Sequence, residues 1–134
     1  MKRAILGMTA ALALAGQARA QTIDPLVLPE AGLERTYACA GYLNAFSAML
    51  KARDARDEQG DTLQFLYLVT ALQAQADAAE TGVASEASNR RMSAWDTAVV
   101  DATLTRVDAN DQFQANLLDC IKLAAAWNDL QTAQ

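Results

Sequence analysis

The chain is predicted to be all-α: an antiparallel four-helix bundle with an extended N-terminal arm, stapled by one disulfide. Three observations point there. First, no proline follows Pro29, and alanine supplies 23 of the 114 residues from Gln21 onward, with Leu, Gln, Glu and Arg also common. All of these favour helix. Second, polar breaks near 54–61, 82–85 and 108–111 divide that stretch into four segments, with a continuous third and fourth helix as the alternative at the last break. Third, each segment carries an apolar stripe at helical spacing, so none is stable alone and each needs the others. Short connections between such helices give up-down-up-down topology.

The opening residues, MKRAILGMTAALALAGQARA, are built like a secretory signal peptide. Lys2 and Arg3 precede an apolar run from Ala4 to Ala15, and Ala18-Arg19-Ala20 supplies the small-x-small cleavage pattern. Cleavage is expected between Ala20 and Gln21. The run is shorter than the roughly 20 apolar residues that span a bilayer. No cysteine lies near the site to carry a lipid. The expected product is periplasmic or secreted, with no stable membrane anchor. The domain organisation is thus 1–20 signal peptide, 21–32 arm and 33–134 helical bundle. Cleavage would remove three of the 11 basic residues and none of the 16 acids, leaving a net charge of -8.

Residues 21–31 hold both prolines, Pro25 and Pro29, which break any helix. Leu26, Val27 and Leu28 are apolar, so the arm is expected to pack on the body; an exposed docking strand is the alternative. The first helix is predicted over Leu33–Arg53, or as far as Glu58, with Cys39, Leu43, Phe46 and Leu50 on one face. Gly60 reads as its stop. Asp61 is expected to cap the second helix, with Gln64 completing a capping box. Two apolar ridges compete there. Phe65, Leu68, Leu72, Ala76 and Ala79 form the better one; Leu63, Leu66, Val69 or Thr70, and Gln73 form the other. Gly82 ends this helix in a left-handed conformation. Ser85 is expected to cap the third helix, which runs to near Val107 with Met92, Trp95, Val99 and Ala102 inward. Phe113, Leu117, Cys120, Ala124 and Trp127 make the fourth face.

Cys39 and Cys120 both lie on apolar seams, and an oxidising compartment favours a bridge between them. In adjacent antiparallel helices they stand at ~9 Å and ~16 Å from the shared end, at ~1.5 Å per residue. A small shift brings them within bridging range. Closing this 81-residue separation is worth about 4 kcal/mol in the chain-entropy account.

Composition excludes a good deal of chemistry. The sequence contains no histidine, so catalytic triads, histidine zinc sites, haem ligation and Glu-x-x-His di-iron sites have no imidazole to use. No enzymatic activity and no cofactor are expected. Net acidity disfavours nucleic acid and anionic membrane as partners. Asp108, Asn110, Gln112 and Asp119 are spaced faintly like a calcium loop. Phe113 and Asp119 stand where that loop needs Gly and Glu, so helix capping explains them better and no metal is expected. Arg90, Arg91, Trp95 and Trp127 are the candidate partner surface, with core packing the alternative for both tryptophans. Tyr37, Tyr42 and Tyr67 are candidates to line a ligand groove between helices.

The stretch Thr36-Tyr-Ala-Cys39-Ala-Gly-Tyr42-Leu43 resembles periplasmic acid-stress chaperones of the HdeA type, which are also small, helical and secreted with one disulfide. Their first cysteine is likewise followed, three residues on, by an aromatic and then Leu. The longer cysteine spacing here departs from that family. The resemblance implies holding of unfolded clients at low pH. The leading functional expectation is a protein-binding module, immunity- or inhibitor-like, with an acidic surface and another protein as partner. The acid-stress chaperone and a small-ligand carrier in the bundle core are the alternatives.

Overall fold

A computed structural model describes residues 22–132; the signal-peptide expectation and its cleavage site lie outside them. Four long helices follow the arm: α1 (Gly32–Arg53), α2 (Glu58–Glu80), α3 (Ser85–Thr105) and α4 (Asn110–Thr132). A short 3₁₀ turn, Val107–Ala109, separates α3 from α4. There is no strand among the described residues, and the elements form an all-α bundle.

α1 is the centre of the packing and touches the other three helices, whereas α3 and α4 scarcely meet. The pairings along α1 give the directions. Cys39 is bonded to Cys120 and Tyr42 meets Asn116, so α4 runs against α1. Tyr37 meets Ser88 and Met49 meets Thr103, so α3 runs with it. Lys51 meets Asp61 and Gln64, beside the short turn that reverses the chain into α2. The close approach of α1 and α3 requires Gly41: a Cβ there would run into the Cβ and backbone of Trp95 and the backbone of Asp96. Ala38 and Ala45, both fully buried, continue that small-residue seam.

The stripes of α1, α3 and α4 turn inward as their spacing predicts. Cys39, Leu43, Met92, Trp95, Val99, Phe113, Leu117 and Ala124 form the core, with Phe46 and Leu50 packed at its edge. The disulfide joins helices whose Cα atoms stand 5.0 Å apart at this level.

Four local expectations are corrected. Asp57, not Asp61, caps α2: its Oδ1 accepts from the Gly60 backbone N–H at 2.9 Å. Gly60 therefore lies within the first turn of α2, not after α1. Ser85 is the first residue of α3 rather than its cap, which is Ala84. The arm is not extended throughout: Pro25 sits in a turn closed by the Val27 N–H donating to the Asp24 carbonyl at 3.1 Å, and the Asp24 carboxylate accepts from Leu26 N–H at 3.0 Å. An Asp at the head of a turn followed by Pro favours this conformation. Gly82, by contrast, adopts the expected left-handed conformation at φ +78°. Around it Val83 N–H donates to Ala78 and Gly82 N–H to Ala79, which satisfies the end of α2.

Candidate partner-binding face

The largest departure from sequence expectation lies in α2. The ridge that points inward is Leu63, Leu66, Val69 and Thr70, continued by Ala74 and Ala78. The ridge Phe65, Leu68 and Leu72 points to solvent, at 51 %, 52 % and 67 % exposed. Ala76 and Ala79 continue it and are exposed too. The reversal has a physical cause. Thr70 is fully buried at no polar cost, because its hydroxyl donates to the Leu66 carbonyl within the helix at 2.8 Å. Gly60, bare of a side chain, lets α2 settle beneath Lys51 and Leu50 of α1. There its carbonyl accepts from the buried Ser47 hydroxyl at 2.8 Å.

α2 is consequently apolar on two opposite sides and only one of them is covered. A helix of this kind is ordinarily enclosed. Isolated exposed leucines need no explanation, but three large side chains at i, i+3 and i+7 form one continuous strip. α4 packs beside α2, and its Leu118 is half-exposed, one position on from Leu117 in the cleft between them. This cleft, of about 630 Å³, is floored by Phe46, Leu50, Leu63, Leu117 and Ile121 where α1 ends and α2 begins.

The residues singled out from sequence are dispersed. Trp95 is buried at 3 % exposure, and its indole N–H donates to Glu34 at 2.8 Å. Arg91 is drawn to the same carboxylate oxygen, at 2.7 Å from both Nε and Nη2. These two tie α3 to α1 and, with Asp24, Val27 and Pro29 of the arm, also line an open cleft of about 560 Å³. Arg90 is exposed and 3.9 Å from Glu86, and Trp127 is half-buried. Arg90 lines an open cleft with Ile23 of the arm, whereas Trp127 belongs to α4, which scarcely meets α3. Tyr37 is buried against Ser88 with 2.7 Å between hydroxyl oxygens. Tyr67 lines a polar cavity of about 200 Å³ with Asn44, Asn89 and Asp96. Burial raises the pKa of Asp96, and a hydrogen bond from Asn44 partly offsets this.

Tyr42 holds the arm. Its hydroxyl donates to the Pro25 carbonyl and accepts from Asn116 Nδ2 at 2.9 Å. Asn116 also donates to the Leu26 carbonyl at 3.0 Å, and Arg35 reaches the Pro29 carbonyl at 2.9 Å. Burial, opposed by the Asn116 hydrogen bond and reinforced by the Asp24 charge, pushes the Tyr42 hydroxyl up to about 12. With its carbonyls engaged in this way, the arm is part of the body rather than a free docking strand.

The centre of the bundle is filled by Tyr42, Leu43, Val99, Phe113 and the disulfide. Asp108, of the calcium-like spacing, lies 3.4 Å from Arg106, and no cluster of metal-ligating side chains occurs among the described residues. No helix among them is long and apolar enough to cross a membrane. The fold and its open face define the class, a small helical bundle with one disulfide. Comparison with protein-family models, with curated proteins and with solved structures finds no match for the chain.

Proposed function

We propose that this is a protein-binding module that works outside the cytoplasm by contact rather than by catalysis, with the outer ridge of α2 as its contact surface. The observation that carries the reading is the solvent-facing strip of Phe65, Leu68 and Leu72 on a helix whose other side is already in the core. The compartment rests on the signal-like first twenty residues and is compatible with the Cys39–Cys120 bridge. With no histidine, and with both cysteines engaged in the bridge, neither an imidazole nor a free thiol is available for catalysis.

The size of the strip bounds what it does. Fully burying a Leu or Phe side chain is worth roughly 1.5–3 kcal/mol, so covering these three partly exposed ones gains about 2.5–5 kcal/mol. A micromolar complex needs about 8 kcal/mol. The strip is therefore an anchor within a larger contact.

The test is site-specific photo-crosslinking in cells that export the protein. A crosslinker at position 68 is expected to give discrete protein adducts, and one at the exposed but remote Leu104 is expected to give none. Absence of adducts at 68, or the same adducts from both positions, would overturn the reading. Sequencing the N-terminus of the exported protein checks the compartment: it should begin at Gln21.

A further inference from the structure

The charges of the bundle are sorted by helix, and the sorting coincides with the apolar strip. α2 carries Glu58, Asp61, Asp77 and Glu80 and no basic residue. α4 carries Asp111, Asp119 and Asp129 against Lys122 alone. These two neighbouring helices hold seven acids and one base, a net charge of -6. α1 and α3 hold four acids and five bases, a net of +1. Asp61 is offset by Lys51 at 2.7 Å, and the half-buried Asp77 accepts from the neutral Gln73 amide. Glu58, Glu80, Asp111, Asp119 and Asp129 remain exposed.

The exposed large apolar residues follow the same division. Phe65, Leu68, Leu72, Leu118 and Leu130 are on α2 and α4, whereas α1 presents none and α3 only Leu104 near its end. Two neighbouring helices thus combine exposed apolar side chains with uncompensated negative charge. A second copy of this chain is a poor occupant, because pairing would set the five exposed carboxylates and one lysine of these helices, a net of -4, against the same charge. A segment with an apolar stripe flanked by Lys and Arg satisfies both features, its stripe covering the ridge and its cations meeting the acids around it.

Resting on the protein-binding reading above, we infer that the α2–α4 face takes a cationic amphipathic polypeptide segment, with Phe65, Leu68 and Leu72 as the apolar contact and the exposed carboxylates of α2 and α4 as the charge contact. The acids raise the encounter rate and select the partner; the ridge holds it.

The experiment titrates the exported protein with three 18-residue peptides by fluorescence anisotropy. One is a Leu/Lys peptide with leucines at helical i, i+3, i+4 spacing. The second is its Leu/Glu twin, and the third is a Leu/Lys scramble without the stripe. The first should bind, and both others should bind at least tenfold more weakly. Combined Phe65→Ser, Leu68→Ser and Leu72→Ser should weaken the first at least tenfold. Combined Glu58→Gln, Glu80→Gln and Asp129→Asn should do likewise, and so should raising the salt from 20 to 300 mM. Leu104→Ser should leave binding unchanged. All sites are exposed, and circular dichroism verifies that each variant is folded.

Equal binding of the Leu/Glu twin, or no binding of the Leu/Lys peptide, would overturn the inference. So would a sedimenting dimer that the ridge substitutions dissociate, which would make a second copy the occupant. Crosslinks from position 68 that persist alongside any of these results leave the protein-binding reading standing without its charge selectivity. Loss of those crosslinks removes both.

Discussion

Tyr42 and Asn116 show how a few polar atoms fix the arm to the bundle. Both are buried, and together they engage two consecutive arm carbonyls, those of Pro25 and Leu26. Tyr42→Phe should lower stability by about 1–3 kcal/mol in urea unfolding, because Asn116 and the Pro25 carbonyl each lose a partner. It should also change the alkaline limb. The folded protein keeps the Tyr42 proton up to about 12, whereas an unfolded tyrosine gives it up near its ordinary value of 10.0. The folded state thus binds more protons in that interval, and stability falls as pH rises through it. The difference between wild type and Tyr42→Phe should shrink across the same interval. Asp96 follows the same sign at the acid end. Its raised pKa means that protonation favours the fold, so its charged form costs stability at neutral pH. Asp96→Asn should therefore raise the melting temperature at pH 7, with the gain fading as pH falls to about 4, where unfolded carboxylates protonate. None of this polar framework was legible in the sequence. Asn116 falls between Phe113 and Cys120 on the apolar seam, and the carbonyl it serves lies 90 residues away.

α2 shows where pattern reading stops. Its two ridges each offer three large apolar side chains, Leu63, Leu66 and Val69 on one and Phe65, Leu68 and Leu72 on the other. Periodicity establishes that there is a helix and not which side faces in. Gly60 and Thr70 decide it, one by permitting close approach and the other by satisfying its hydroxyl within the helix, and neither counts as hydrophobic signal. The stability consequences differ between the two ridges. Leu66→Ala should cost about 2–5 kcal/mol, whereas serine at Phe65, Leu68 or Leu72 should each cost about 1 kcal/mol. Chemical denaturation of the single variants distinguishes them. The other three helices were legible because each has only one apolar stripe, and Gly82 was legible because a glycine following a helical run is the common left-handed stop. Gly41→Ala should be strongly destabilising despite alanine's better helix propensity, since the added Cβ meets Trp95 and Asp96 of α3.

The whole molecule is a bundle with a stapled interior and a polarised exterior. The helical class and the Cys39–Cys120 bridge follow from composition, stripe spacing and the position of both cysteines on apolar seams. Converting both cysteines to alanine should lower stability by about 4 kcal/mol, from the loop entropy regained by an 81-residue separation. The polarised exterior was only half legible. Net acidity is a property of composition, but its concentration on α2 and α4 needs the packing to show that these helices are neighbours. The functional proposal depends on the outer ridge of α2 being open in the free protein. Solution NMR with leucine-methyl labelling and a soluble paramagnetic agent examines that exposure. The methyls of Leu68 and Leu72 should broaden as strongly as those of exposed Leu104, while those of buried Leu43 and Leu63 stay sharp. Protection of Leu68 and Leu72 to the level of Leu43, with broadening of Leu63, would place the other ridge outward and contradict the assignment of this face.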